Sequence, residues 1–224
     1  MALFNSHFYH SMTKRYTVAM GTLFSDMSVV RYNEDGTENH RITVPITYSN
    51  KEKFVQRLIS DSDHSRKEAI TVPRMAFELV SMNYDGQRKL QKLNKYQFDR
   101  SAGNASNVYT PVPYDLVYNL YIVTKTQEEM LQIVEQIVPA FTPDFTVSIK
   151  SVEEPELRFD LPITLLDVLP SDSSEGMFED RRQIMWTMSF LAKAVYFGPV
   201  AKREIILHPQ SDLYGWEKLY EFYP

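Results

Sequence analysis

The sequence predicts an α/β (α+β) fold in which a mixed, mainly antiparallel sheet carries packed helices. Three observations lead there. Residues 113–145 read as an apolar strand running directly into an amphipathic helix. Residues 183–196 alternate, with Ile184, Trp186, Met188, Phe190, Ala192 and Tyr196 set against Gln183, Thr187, Ser189 and Lys193. Other period-two segments follow one another through turns, with few helices between them.

From the N-terminus, Phe8, Met12, Tyr16, Met20 and Leu23 recur every three or four residues, which predicts a helix over 7–24. Segments 27–32 and 41–48 read as a hairpin joined by the turn-rich EDGTEN. Pro45 cannot donate to a ladder, so the second strand belongs at a sheet edge or carries a bulge, leaving an edge for a partner. Ser49-x-x-Glu52 is a capping-box pattern before a short helix holding Phe54, Val55 and Leu58.

A long strand follows over 70–84, with Met75, Phe77 and Leu79 on one face and Arg74, Glu78 and Met82 on the other. Residues 86–112 show little periodicity and several cations, and read as an insertion. In 113–123 both faces are apolar, as in a central strand. Thr126-x-x-Glu129 then opens a helix whose stripe is Met130, Val134, Ile137 and Phe141, widened by Leu131 and Val138; Pro139 and Pro143 end it. Further strands are predicted at 145–152 and 159–165, with Pro162 marking an edge or bulge. The domain is therefore placed at 1–199, with residues 200–224 as a C-terminal arm. In the arm Leu213, Trp216, Leu219 or Tyr220, and Tyr223 fit one face of a short helix suited to a groove on the same subunit or a neighbour.

Composition narrows the function. Lys plus Arg number 24 against 29 Asp plus Glu in 224 residues, a net charge of -5, which argues against general DNA affinity. The absence of cysteine excludes disulfides, zinc thiolates and thiol nucleophiles. No apolar run approaches the ~20 residues of a membrane span, and MALFNSHFYHS lacks the pattern of a signal peptide, so a soluble, unexported protein without membrane contact is expected. His7 and His10 could share a helix face but lack a third ligand. His40, His64 and His208 stand alone. Asp172, Glu175, Glu179 and Asp180 lack the alternation and glycine of a calcium loop, and no glycine-rich phosphate loop occurs. No catalytic residue, metal ligand or cofactor site is expected.

What remains is contact chemistry. The basic pairs Lys14-Arg15 and Arg181-Arg182, the cations Arg88 and Lys89, the proline-marked edge at Pro45, and the arm aromatics Trp216, Tyr220 and Tyr223 are the candidate partner or subunit surfaces.

Four collinear segments carry a resemblance: HFYHSMTKRYTVAMGTLFSD, RITVPITYSNKEKF, EEMLQIVEQIVPAFTPDF and DRRQIMWTMSF. Together, from about Phe4 to Val200, they resemble the tail completion and sheath stabiliser (tail terminator) proteins of T-even-like contractile-tailed bacteriophages. Beyond Val200 the resemblance stops. It implies a tail-terminator-like fold and a non-enzymatic structural virion protein at the tail-neck junction, made in the host cytoplasm. Its partners would be itself, in a hexameric ring, then the tail tube, the tail sheath and the neck proteins, with DNA passing through the lumen without specific binding. An acidic subunit suits that last role, since every neutralised phosphate adds affinity. Two alternatives stand beside it: another neck or head-completion connector, and a small cytoplasmic hydrolase built on the 172–180 carboxylates or His10.

Overall fold

The structure is a computed structural model that describes residues 7–33, 35–60, 72–100, 104–152, 157–172 and 184–204. The chain divides into two compact units, one of residues 1–90 and 111–197, the other of 91–110 and 198–224.

In the first unit the elements are α1 (Met12–Leu23), β1 (Ser28–Tyr32), β2 (Glu38–Thr43), β3 (Ile46–Tyr48), α2 (Lys51–Ser60) and β4 (Arg74–Tyr84). The second unit begins with β5 (Lys95–Arg100) and β6 (Asn104–Tyr109). The first resumes with β7 (Val112–Thr124), α3 (Gln127–Ile137), β8 (Asp144–Val152), β9 (Leu157–Asp172) and β10 (Ile184–Tyr196), and β11 (Ala201–Glu204) belongs to the second. A six-stranded sheet in the order β3-β4-β7-β10-β9-β8 forms the body of the first unit. Only β3 runs parallel to its neighbour; the other pairs are antiparallel, giving the mixed, mainly antiparallel sheet that the patterns predict.

As its two apolar faces require, β7 is central. Leu116, Tyr118, Leu120 and Ile122 are fully buried on one face, with Met188, Phe190 and Ala192 of β10 and Met75 of β4 beside them. α1 covers this face through Met12, Tyr16 and Met20, and α3 through Met130, Ile133 and Ile137. Aromatic rings fill the middle: Phe190 lies 5.2 Å from both Phe24 and Phe141, centroid to centroid. Gly21 lets α1 approach closely, since a Cβ there would lie 2.9 Å from Cζ of Phe77. On the opposite face, among the described residues, Phe54 of α2 packs on Ala76, Tyr121 and Val123.

Several local readings change. α1 starts at Met12, so His7 and His10 precede it and share no helix face. The segment 41–48 is not one strand: β2 pairs with β1, the chain breaks at Val44-Pro45, and β3 joins the main sheet beside β4. The proline separates two strands instead of bulging one. Helix α2 begins after Asn50, whose carbonyl accepts the Phe54 amide, one residue later than a Ser49 cap would place it. In β4 an irregularity between Leu79 and Ser81 inserts one residue. Met82 therefore aligns with Leu116 and not with the face of Glu78.

Helix α3 is capped by Thr126, whose hydroxyl accepts the Glu129 amide at 3.3 Å, and its stripe of Met130, Val134, Ile137 and Phe141 packs on the core, but the stripe widens on the other flank. Ile133 and Glu129 are buried, while Leu131 and Val138 are exposed. β9 continues to Asp172, well past Leu165. Pro162 lies one residue beyond the last β9 residue paired with β10, so β9 is paired on one side only at that point. The insertion contains a hairpin: β5 pairs with β6, and β11 adds to β6 to make a three-stranded sheet of the second unit.

Candidate functional site

Lys14 and Arg15 both lie on the wall of a groove in the first unit, between α1 and β8, of about 740 Å³. The helix periodicity that buries Met12, Tyr16 and Met20 against the sheet turns Lys14, Arg15 and Val18 toward this flank. Across the groove β8 presents Phe145, Val147, Ile149 and Lys150, whose carbonyl accepts a bond from Nη1 of Arg15 at 2.5 Å. Among the described residues no carboxylate lines the groove. Val18 is 58% exposed and Phe145 37%. β8 is also the terminal strand of the sheet, paired only with β9. Apolar side chains, basic residues and a strand edge therefore coincide, a combination suited to contact with an extended or helical segment.

A second sheet edge lies at β3. Pro45, exposed and just before that strand, accepts the Met75 amide on its carbonyl at 2.9 Å. The β1–β2 hairpin is fastened differently. Gln132 of α3 accepts the Val30 amide and donates to the Val30 carbonyl, both at 2.9 Å, and Gln136 donates to the Ser28 carbonyl at 2.8 Å. The helix thereby covers the β1 edge as a neighbouring strand would. Beside these bonds Arg31 reaches the buried Glu129 at 2.6 Å. Glu129 reads from the sequence as a capping carboxylate, and Gln132 as part of a solvated face. Their partners stand about a hundred residues away, beyond any local pattern.

Arg88 is engaged within the chain. Its guanidinium meets Asp85 at 2.5 Å and Asp115 at 2.6 Å, and donates to the Tyr114 carbonyl at 3.3 Å. That hydrogen bond to Arg88 holds the Asp85 carboxyl below its ordinary range. Lys89 is exposed. Arg181, Arg182, Trp216, Tyr220 and Tyr223 lie outside the described residues, as do Glu175, Glu179 and Asp180.

The sheet face opposite α1 and α3 carries a directed polar row. Ser189 donates to Asn119 at 3.0 Å, Asn119 donates to the Tyr121 oxygen at 3.4 Å, and Tyr121 donates to Glu78 at 2.5 Å. Burial, reinforced by the Glu78 carboxylate, pushes the Tyr121 phenol up to about 12. On the other face burial does the same to Tyr118, against the Thr17 hydroxyl bond that opposes it. Raised phenol values mean that folding favours the neutral form. The stability they contribute is complete below about 10 and is lost as pH rises toward 12. We expect phenolate absorbance at 295 nm to appear in two stages, the later one coinciding with loss of near-ultraviolet circular dichroism. Complete titration near 10 with the fold intact would refute the burial argument.

Among the described residues there is no cluster of three or more potential metal ligands, and no helix is long and apolar enough to cross a membrane. The described residues of the first unit offer contact surfaces, among them the groove beside α1 and the edges of the main sheet at β3 and β8.

Comparison with known proteins points the same way. The profile of a family described as T4-like virus Myoviridae tail sheath stabiliser matches residues 7–221. The match thus extends past Val200, where the sequence resemblance had stopped. The chain is also 32% identical over 205 residues to the tail completion protein gp15 of Enterobacteria phage T4, covering 88% of this chain and 75% of that protein.

Proposed function

Because the chain belongs to the T4-like tail sheath stabiliser family, and so is a structural protein of a bacteriophage tail, we propose that it terminates the tail as a hexameric ring. The ring caps the tail tube, holds the last layer of contractile sheath, and offers its other side to the neck proteins at the tail-neck junction. Assembly takes place in the host cytoplasm, DNA passes through the lumen without specific binding, and no catalytic step is part of this role.

The observation that carries the reading is the family match over residues 7–221. The surfaces described above support it. A closed ring needs head-to-tail contacts between two different patches of one subunit. The groove beside α1 and the edges at β3 and β8 provide unlike patches of that kind. The charge balance suits a conduit, because a subunit with a net charge of -5 has little cationic excess with which to neutralise phosphates and hold DNA.

The test is partner selection with purified components. Full-length protein is mixed with tail tubes, with sheathed tubes, and with portal rings, then sedimented. Retention on tubes, and longer survival of extended sheath on tubes that carry it, is the expected outcome. Binding to portal rings with no affinity for tubes would instead make the chain a neck or head-completion connector.

A further inference from the structure

We infer that the tip of the β1–β2 hairpin is a site of spontaneous backbone modification, at which Asp35 converts through a succinimide to isoaspartate. The inference does not rest on the tail role.

The chain has two Asp-Gly pairs, Asp35-Gly36 and Asp85-Gly86. In such a pair the glycine nitrogen attacks the aspartate Cγ. A C–N bond forms, a C–O bond of the neutral carboxyl group breaks, and water leaves with the amide proton. Water then adds back to the ring. Addition at the former main-chain carbonyl leaves the chain running through Cγ, with no net change in mass and no other reagent consumed. Glycine permits the attack because no Cβ shields its nitrogen or restricts its backbone.

The structure separates the two pairs. Asp35 is exposed, and no hydrogen bond or ion pair among the described residues holds its carboxylate. Gly36 has a φ of 73° and nothing within 4 Å of where a Cβ would stand, the left-handed glycine of a three-residue hairpin loop. The bond that ring closure must break, from the Gly36 amide to the Asn33 carbonyl at 3.0 Å, lies at an exposed turn where water can replace it. Asp85 is pinned instead. Its Oδ1 accepts the Gln87 amide at 2.8 Å and its Oδ2 meets Nε of Arg88 at 2.5 Å. These bonds favour the anion, which is a poor electrophile, and fix Cγ in place.

Conversion lengthens the loop by one main-chain carbon. Asn33 and Thr37 close that loop through a backbone bond at 2.9 Å and a side-chain bond at 3.1 Å, so the pairing of Tyr32 with Glu38 loosens from the tip.

The experiment holds the full chain for several weeks at neutral pH and physiological temperature. The protein is then labelled with isoaspartate methyltransferase and S-adenosylmethionine, digested, and mapped by mass spectrometry with electron-transfer fragmentation. Label at Asp35 several-fold above that at Asp85, with a minor dehydrated form of the same peptide, is expected. Asp35→Glu, which would have to close a larger ring, should abolish label in that peptide. No label at Asp35, or as much at Asp85, overturns the inference. Arg88→Ala, with the fold intact by circular dichroism, should raise label at Asp85 several-fold, and no rise there would overturn the argument that bonding of the carboxylate separates the two pairs.

Discussion

Phe190→Ala is expected to destabilise the protein by about 3–5 kcal/mol, the largest single effect we foresee for a side chain of the core. Phe190 is wholly buried on β10, and its ring packs with Phe24 beyond the end of α1 and Phe141 beyond the end of α3. Removing it separates both helix ends from the sheet at once and leaves a cavity that rigid strands cannot close. In a domain of this size such a loss corresponds to a fall of roughly 10 °C or more in Tm. Leu169→Ala is the control. Leu169 is 54% exposed, and its loss should change stability by less than about 0.5 kcal/mol. Urea unfolding of both variants decides the matter, and a Phe190→Ala effect below about 1 kcal/mol would contradict the packing described here.

The second largest effect is expected at the clamp that holds the β1–β2 hairpin. Glu129 has a side chain only 5% exposed, and Oε1 accepts from both Nε and Nη2 of Arg31, while Oε2 is buried without a hydrogen-bond partner. Arg31→Ala leaves a nearly buried carboxylate uncompensated, which costs more than the pair itself contributes. Because Arg31 is 45% exposed, water can reach part of the site, and the loss should be about 2 kcal/mol, below the 3–5 typical of a fully enclosed pair. Glu129→Gln removes the charge and keeps the shape, so adding it to Arg31→Ala should recover much of the loss. A double-mutant cycle with no coupling would show that the glutamine bonds alone hold the hairpin.

The sheet was legible because its central strands are periodic. β7 is apolar on both faces and β10 alternates cleanly from Met188 to Ala194, so both could be placed in the core from pattern alone. The same logic gave α1 and α3, with Thr126 as the cap of the latter. It failed where one residue shifts the phase. The irregularity after Leu79 returns Met82 to the helix-covered face, and nothing in the residue types there announces it. It also failed where the fold supplies the partner from far along the chain. Gln132 reads as part of a solvated face and Glu129 as a capping carboxylate, and they are instead bound to Val30 and Arg31. In the β5–β6 hairpin only Tyr96 and Phe98 alternate, over too short a run to stand out, and its pairing with β11 is long-range.

The candidate site was partly legible. Lys14 and Arg15 stood out as a basic pair in an acidic chain, and they do share a groove. That Phe145 and Ile149 form its opposite wall follows from the sheet placing β8 beside α1, which no local signal encodes. Arg88 shows the opposite limit: a cation in an insertion looks available for a partner, yet two carboxylates of its own chain hold it.

The most direct test of the central claim is the mass of the full-length protein by light scattering across a range of concentrations, alone and with assembled tail tubes. The subunit is 26.2 kDa, so a closed ring of six is about 157 kDa. The account predicts that species, either free or formed on the tube end. A protein that stays near 26.2 kDa at every concentration and ignores tubes would contradict it.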